Sequence, residues 1–447
     1  MEEGAELVVE ARAPGKVILS GEHAVVHGTA AVAAALGLYS TARIRHRPLS
    51  PGTEEFLVLE LPQLNVHVSW SLKMIEEILD PPSLQYPNPL VVKECSDSDM
   101  TRLGSFVVKQ LSWGAPKGTV AAVTTFLFLY TSILGLQPIT VRVTSDLPVG
   151  AGLGSSAAYC VCLAAALLDL AATFDSPTQA ITTPKEQGSQ KLADTGNWHD
   201  VDEKNLELVN KWAFEGERII HGRPSGIDNT VSSYGYVVRF KQGELMRLHS
   251  PMPLRMLLTN TNVGRNTKAL VAGVGERALR HPAAMAAIFK AIDGIAEEVV
   301  SILLSPSNPG LDSDDEHEHK DEARSWQQLP DECLPKSDIA SVVRTKEEAK
   351  LEELVEMNQG LLQCIGVSHV SIEAICQITA AFKLQSKLTG AGGGGCVLTL
   401  LPKQMSSTYV EVVKVDLEGQ GFSCFEAAIG GHGVQVRQEL NPDGGDE

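Results

Sequence analysis

PVGAGLGSSAA, residues 148–158, joins a run with strand-like alternation (139–143) to a run with helical spacing (156–164). Glycines allow backbone N–H groups to line a concave turn, and a helix that follows adds its unpaired N–H groups and the positive end of its dipole. A strand, a glycine turn and a helix in this order are typical of a phosphate-binding site. A glycine turn that only caps a buried helix is the alternative interpretation.

Two common nucleotide-binding patterns are missing from the sequence. There is no G-x-x-x-x-G-K-[ST] segment, and neither H-R-D nor D-F-G occurs. The chain is therefore neither a Walker A protein nor a protein kinase. A strand–loop–helix phosphate site of another lineage remains.

Composition limits the classes of protein that fit. The 447 residues are 43% hydrophobic and 21% charged, as in ordinary globular proteins, and the net charge of −18 argues against a nucleic-acid partner. Eight cysteines occur without C-x-x-C spacing, and the acidic start Met1–Glu3 precedes no apolar leader, so we expect a cytosolic protein, with peroxisomal association left open. The uncharged stretch 118–141 is interpreted as a buried helix rather than a membrane span, because its apolar core is short for a bilayer.

The pattern along the chain predicts an α+β protein of two lobes, residues 1–245 and 246–447. A helix is predicted from residue 204 to 218, and a strand over 231–240. The polar stretch 172–200 is interpreted as a surface connection. The acidic segment 305–345 has too little apolar content to fold, and we expect it to be a disordered insertion without a catalytic role.

Two further segments point to the same kind of site. APGKVILSGEHAVVHG, residues 13–28, contains Lys16 at the start of an apolar run and the pair Glu22-His23 after a turn. LTGAGGGGC, residues 388–396, contains a glycine loop at 390–395 between apolar flanks, where a flexible linker is unusual. We expect this loop to pack next to the phosphate site, because such a density of glycine is costly unless backbone must approach something closely.

These segments, in this order, resemble the GHMP family of small-molecule kinases from about residue 13 to about residue 431. The resemblance implies an N-terminal lobe like ribosomal protein S5 domain 2, a ferredoxin-like C-terminal lobe, and substrates bound between them. Within the family it implies Mg²⁺- and ATP-dependent phosphorylation of the C5 hydroxyl of mevalonate. Another GHMP substrate and a non-catalytic, ligand-binding paralogue are the alternatives. A homodimer and feedback inhibition by prenyl diphosphates are also implied.

Two acidic residues, Glu217 and Asp228, are candidate functional residues. Glu217 falls on the apolar stripe of the predicted helix, where a carboxylate must be paired or bind a cation. An ion pair with Arg218 or Arg223 is one option; the resemblance implies that Glu217 and Ser156 hold Mg²⁺. Asp228 alone would be interpreted as a turn residue.

The resemblance assigns the remaining roles. It makes Asp228 the catalytic carboxylate and places Lys16 beside it, where an ammonium group favours the ionised carboxylate. The implied ATP-binding residues are Lys16, Gln63, Ser145, Gly150, Ala151, Gly152, Leu153, Gly154, Ser155 and Ser156. The implied substrate-binding residues are Glu22, His23 and Thr259. Gln63 stands where the family carries an asparagine.

Overall fold

A computed structural model describes residues 6–47, 53–79, 88–112, 114–148, 150–175, 197–250, 254–305 and 344–441. Most of the predicted surface connection (172–200) and of the acidic insertion (305–345) lies outside the described residues. The strands are β1 (Glu6–Ser20), β2 (Ala31–His46), β3 (Phe56–Leu61), β4 (Val66–Ser71), β5 (Thr140–Ser145), β6 (His199–Asp200), β7 (Val237–Lys241), β8 (Glu244–Leu248), β9 (Leu254–Asn260), β10 (Ser386–Leu388), β11 (Cys396–Leu401), β12 (Ser423–Ile429) and β13 (Gln435–Asn441). The helices are α1 (Leu72–Ile78), α2 (Asp97–Gln110), α3 (Lys117–Ile133), α4 (Ser155–Asp175), α5 (Glu203–His221), α6 (Ile227–Tyr234), α7 (Thr267–Arg280), α8 (Pro282–Leu304), α9 (Lys346–Ile365), α10 (Val370–Ala381) and α11 (Ser407–Gly419).

One mixed sheet runs through both lobes in the order β10-β11-β9-β12-β2-β1-β13-β6. Strands β5 and β7 pair with β2, and β3 joins the sheet by pairing with β5 in parallel. The two lobes meet where β12 pairs with β2, at the single position Ile429–Leu36. This is the predicted α+β, two-lobed class of fold.

Two hydrophobic cores correspond to the two lobes. The larger core packs α3, α4 and α5 against β1 and β2, and the smaller packs α9, α10 and α11 around β9, β10 and β11. Helix α3 is almost wholly buried, so the interpretation of 118–141 as containing a core helix is confirmed. Helix α4 is long and apolar enough to cross a membrane, but 78% of its apolar window is buried inside the protein. It is the central helix of the larger core.

The strand predicted over 231–240 is wrong at its start. Helix α6 runs to Tyr234, and β7 begins only at Val237. Gly235 and Tyr236 lie between them with positive φ angles of 72° and 56°, which end the helix before the strand begins. Tertiary packing overrides the β propensity here, because Val231 is fully buried and the Ser232 hydroxyl donates to the Pro14 carbonyl of β1 at 2.6 Å.

Strand β1 is one strand of fifteen residues. Its pairing with β2 continues across a register shift at Pro14/Gly15. The division at residue 245 stays a prediction, but β13 pairs with β1 from Glu6–Asn441 to Arg12–Gln435. The predicted C-terminal lobe, residues 246–447, therefore contains a strand that extends the sheet of the N-terminal lobe.

Candidate active site

The glycine loop lies between the end of β5 and the start of α4. Gly150, Gly152 and Gly154 have φ angles of 77°, 82° and 75°, which side chains other than glycine rarely adopt. Ala151 and Leu153 are buried and anchor the loop. Because α4 begins at Ser155, the free N–H groups of its first turn face the same concavity as the loop. The arrangement is that of an anion-binding site.

Lys16 crosses this loop from β1. Its backbone N–H donates to the Leu153 carbonyl at 2.7 Å. A Cβ atom added to Gly154 would lie 2.8 Å from Lys16 Cγ, so glycine is required for the lysine stem to pass. Lys16 is 6% exposed, so its ammonium group lies inside the protein rather than in solvent.

Lys16 and Asp228 form an ion pair, with Nζ 3.1 Å from Oδ1. Asp228 lies in the first turn of α6, after Gly226 at φ 80°. The bond from Ser232 to Pro14 fixes α6 against β1 directly beside the lysine. Asp228 remains about one third exposed at 35%, so its carboxylate is accessible to a bound alcohol.

Glu217 projects from α5 toward the start of α4 and is 3% exposed. Burial raises its pKa to about 7; a hydrogen bond from Ser156 acts in the opposite direction, and the nearby charge of Asp228 raises the pKa further. Its Oε1 has no hydrogen-bond partner among the described residues. The Ser156 hydroxyl also lies 3.0 Å from Nε2 of His221.

The alternative ion pair of Glu217 with an arginine is not seen. Arg218 instead contacts Glu215, at 3.0 Å, and Glu94. Glu217 Oε1 lies 3.9 Å from Nε2 of His221, beyond hydrogen-bond distance. A buried carboxylate with such an oxygen beside a hydroxyl fits a hard divalent cation, which prefers oxygen ligands. No cluster of three or more His, Cys, Asp or Glu suited to a metal occurs within the described ranges.

Glu22 and His23 connect the two lobes. Glu22 is ion-paired with Lys387 of β10, and both side chains are fully buried. His23 Nε2 lies 2.8 Å from the Ala391 carbonyl, and burial lowers the pKa of His23. Lys387 was not among the predicted site residues, although a lysine between Leu384 and Leu388 was a usable signal. The second carboxylate oxygen of Glu22, Oε2, accepts no hydrogen bond from the described residues.

The second glycine loop faces the first. Gly390 and Gly392–Gly395 all have positive φ angles. A Cβ atom at Gly395 would lie 3.1 Å from the Ala151 carbonyl, so the loops of the two lobes are in contact. The prediction that residues 390–395 form a packed turn next to the phosphate site is confirmed.

Three of the predicted site residues have local partners of their own. Gln63 donates to the Ser145 carbonyl at 3.4 Å, so these two predicted ATP contacts lie together at the end of β5. Thr259 is fully buried on β9, 3.7 Å from the sulfur of Cys424. The assignment of Thr259 to the substrate stays a prediction.

Comparison with known proteins gives a consistent result. The family model described as GHMP kinases N terminal domain matches residues 119–182, and that described as GHMP kinases C terminal matches residues 340–408. The mevalonate kinase of Arabidopsis thaliana is 47% identical, over 96% of this chain and 99% of its own length. The mevalonate kinase of Homo sapiens is 38% identical, over 96% and 95%.

Solved structures agree at the level of the fold. Methanococcus jannaschii mevalonate kinase aligns with a TM-score of 0.57 at 20% identity, over 94% of this chain and 97% of that one. L. major mevalonate kinase in complex with R-mevalonate aligns with a TM-score of 0.55 at 19% identity, over 94% of each chain. With relatives this similar over nearly their whole length, the chain belongs to the mevalonate kinase family of the GHMP kinases.

Proposed function

We propose that this protein transfers the γ-phosphoryl group of ATP to the C5 hydroxyl of (R)-mevalonate, giving 5-phosphomevalonate and ADP. The observation that carries the proposal is the Lys16–Asp228 pair, 3.1 Å apart beside a phosphate-binding loop. The names of the relatives, at up to 47% identity, supply the acceptor alcohol.

Lys16 and Asp228 act on the alcohol. In the reaction, the C5 oxygen bonds to the γ-phosphorus, the bond from that phosphorus to the β-phosphate oxygen breaks, and the hydroxyl proton passes to the Asp228 carboxylate. The Lys16 ammonium crosses Gly154 and lies 3.1 Å from the carboxylate, near the transferred charge. Because phosphoryl transfer has a loose transition state, alignment and charge contribute more than proton removal.

Glu217 and Ser156 are the residues that would hold Mg²⁺. The cation supplies neutralisation of phosphate charge when it is bound. The buried Oε1 of Glu217, which accepts no hydrogen bond from the described residues, and the Ser156 hydroxyl would be its oxygen ligands.

The test is ADP release by the purified full chain with ATP and Mg²⁺, with and without mevalonate, followed by a panel containing galactose, homoserine and phosphomevalonate. ADP release that requires mevalonate supports the proposal. Preference for another alcohol would make the protein a different GHMP kinase, and no acceptor-dependent ADP release would favour a non-catalytic paralogue.

A variant pair places the chemistry at Asp228. Asp228→Asn should lower kcat by about 10²- to 10⁴-fold, because the change is nearly isosteric but removes the charge. The matched control is Asp293→Asn, which breaks another lysine–aspartate pair, 2.9 Å from Lys241. Equal kcat values for Asp228→Asn and the control would remove Asp228 from the mechanism.

The resemblance supports three further parts of the proposal: a homodimer, a cytosolic location and inhibition by prenyl diphosphates that compete with ATP. Light scattering, fractionation with peroxisomal markers, and inhibition kinetics at varied ATP concentration would test them in turn. A monomer, a protein absent from the cytosolic fraction, or inhibition unaffected by ATP would each contradict its own part and leave the reaction untouched.

A further inference from the structure

His221 is the last residue of α5, and Glu217 lies one turn before it. Side chains four residues apart lie on the same face of a helix, so the imidazole and the carboxylate are neighbours. Nε2 of His221 lies 3.0 Å from the Ser156 hydroxyl and 3.9 Å from Glu217 Oε1. One ring nitrogen therefore lies beside both of the residues to which we assign the metal.

The imidazole is far more accessible than the carboxylate beside it. The side chain of His221 is 53% exposed, whereas that of Glu217 is 4% exposed. Mg²⁺ prefers oxygen ligands to imidazole nitrogen, so the ring is better suited to orient a ligand than to bind the cation itself. In a neutral imidazole that carries its proton on Nδ1, Nε2 is a hydrogen-bond acceptor.

The hydroxyl proton of Ser156 has no acceptor within its own helix. Helical hydroxyls elsewhere in this chain donate to the carbonyl four residues back, as Thr124 does to Val120 at 2.8 Å. Ser156 is the second residue of α4, so no helical carbonyl precedes it by four residues. Its proton is left for the two side chains of α5, Glu217 and His221.

These two acceptors differ once a cation is bound. The serine oxygen and the carboxylate would then both be ligands, and the positive charge would repel the hydroxyl proton. Nε2 of His221 is the acceptor that remains for this proton, at 3.0 Å. A hydroxyl has one proton and two lone pairs, so the direction of the proton also fixes the direction of the lone pairs.

We propose that His221 is a positioning residue of the metal site: Nε2 accepts the Ser156 proton and thereby directs the lone pairs of the serine oxygen toward the cation. The inference rests on the metal role proposed for Glu217 and Ser156. Side chains that orient a metal ligand through a hydrogen bond typically change metal affinity by about 10- to 100-fold when they are removed. The same range is expected here.

The first arm of the test measures how much Mg²⁺ strengthens nucleotide binding, without an acceptor alcohol. An ATP analogue with nitrogen between its β- and γ-phosphates is titrated by calorimetry at about pH 8, where an ordinary histidine is neutral, in excess Mg²⁺ and in EDTA. The ratio of the dissociation constant in EDTA to that in Mg²⁺ should fall by about 10- to 100-fold in His221→Leu, with the EDTA value within about twofold of the parent. His221→Gln should recover part of the ratio, because its amide oxygen accepts a proton.

His432→Leu is the matched control. His432 is 49% exposed, and its Nδ1 lies 3.1 Å from an oxygen of Asp200. A ratio in His221→Leu equal to that in His432→Leu, or an equal loss of affinity in Mg²⁺ and in EDTA, would show that the ring only supports the end of α5 and would overturn the proposal. Should His221→Leu fail to fold, His221→Ala replaces it in both arms.

Glu217→Gln separates this inference from the metal site itself. A ratio lowered by Glu217→Gln but not by His221→Leu would leave the metal site in place and show that the role of His221 is wrong. A parent ratio near one, or a ratio that neither variant changes, would contradict the metal site and this inference together.

The second arm measures the rate with mevalonate while the Mg²⁺ concentration is varied. His221→Leu should raise the Mg²⁺ concentration for half-maximal rate by about 10- to 100-fold, and excess Mg²⁺ should restore most of kcat. A loss of kcat that excess Mg²⁺ does not restore would place His221 on the reacting groups and overturn the proposal. If the parent does not phosphorylate mevalonate, the proposed reaction fails, but the first arm still decides whether His221 supports the metal.

Discussion

The buried pair between Glu22 and Lys387 gives the sharpest stability prediction. Both side chains are 0% exposed, and Lys387 Nζ also donates to the Leu388 carbonyl at 2.7 Å and contacts the Ile18 carbonyl at 3.4 Å. Lys387→Met leaves the Glu22 charge buried without a partner, which costs about 3–5 kcal/mol. The ratio of folded to unfolded protein should therefore fall by about 10²- to 10⁴-fold.

The second variant removes both charges. Replacing a buried ion pair by apolar groups of similar volume is often neutral, so Glu22→Leu combined with Lys387→Met should recover most of the lost free energy. The matched control is Lys241→Met, because Lys241 pairs with Asp293 while 28% exposed and should lose about 1 kcal/mol or less. Urea unfolding, followed by circular dichroism and tryptophan fluorescence together, measures all four proteins.

Two outcomes would refute this reasoning. A Lys387→Met protein within about 1 kcal/mol of the parent would show that Glu22 is neutral or solvated. A double variant no more stable than Lys387→Met would show that packing, and not the uncompensated charge, accounts for the loss.

The remaining predictions concern the metal site and the phosphate loop. In the metal-free protein, burial raises the pKa of Glu217 to about 7, against 4.5 in the unfolded chain. The folded protein then holds a proton that the unfolded chain has lost, so the free energy of unfolding should fall by up to about 3 kcal/mol as the pH rises from 4.5 to 7. Glu217→Gln should abolish this pH dependence. Glu217→Gln should also raise the Mg²⁺ concentration for half-maximal rate, which a magnesium titration against the control Glu215→Gln would measure; an unchanged titration contradicts the metal role. Gly154→Ala should reduce both stability, by about 1–2 kcal/mol, and kcat, because the new Cβ meets Lys16 at 2.8 Å. The control Gly222→Ala has a similar φ of 78° but no neighbour within 4 Å, so equal kcat losses would refute the steric explanation.

The sequence predicted the elements whose signal is local. Glycines at fixed spacing before a helix, and a carboxylate on an apolar helix stripe, are local patterns, and the structure brings Lys16, Ser156, Glu217 and Asp228 to one end of the larger core. The predicted start of the strand at residue 231 was wrong because Val231 and its neighbours have β propensity, and only burial against β1 makes them helical.

Contacts between distant segments could not be predicted in this way. The partner of Glu22 lies 365 residues further along the chain, and nothing near either residue indicates the other. Likewise, Gly152, Gly390 and Gly395 all lie against the guanidinium group of Arg265, and this contact exists only when the lobes are assembled. Such contacts depend on topology rather than on periodicity.

The pairing of β13 with β1 has a consequence for how this protein is made. Arg12 and its partner Gln435 are 423 residues apart, so β1 is synthesised long before β13, the strand with which it pairs. At about 5–20 residues per second, one edge of β1 has no strand to pair with for about 20–85 s. An open strand edge can pair with another chain, so β1 is the place where association between nascent chains should begin. Slowing synthesis between these two segments should lower the yield of native protein even though the finished fold is unchanged.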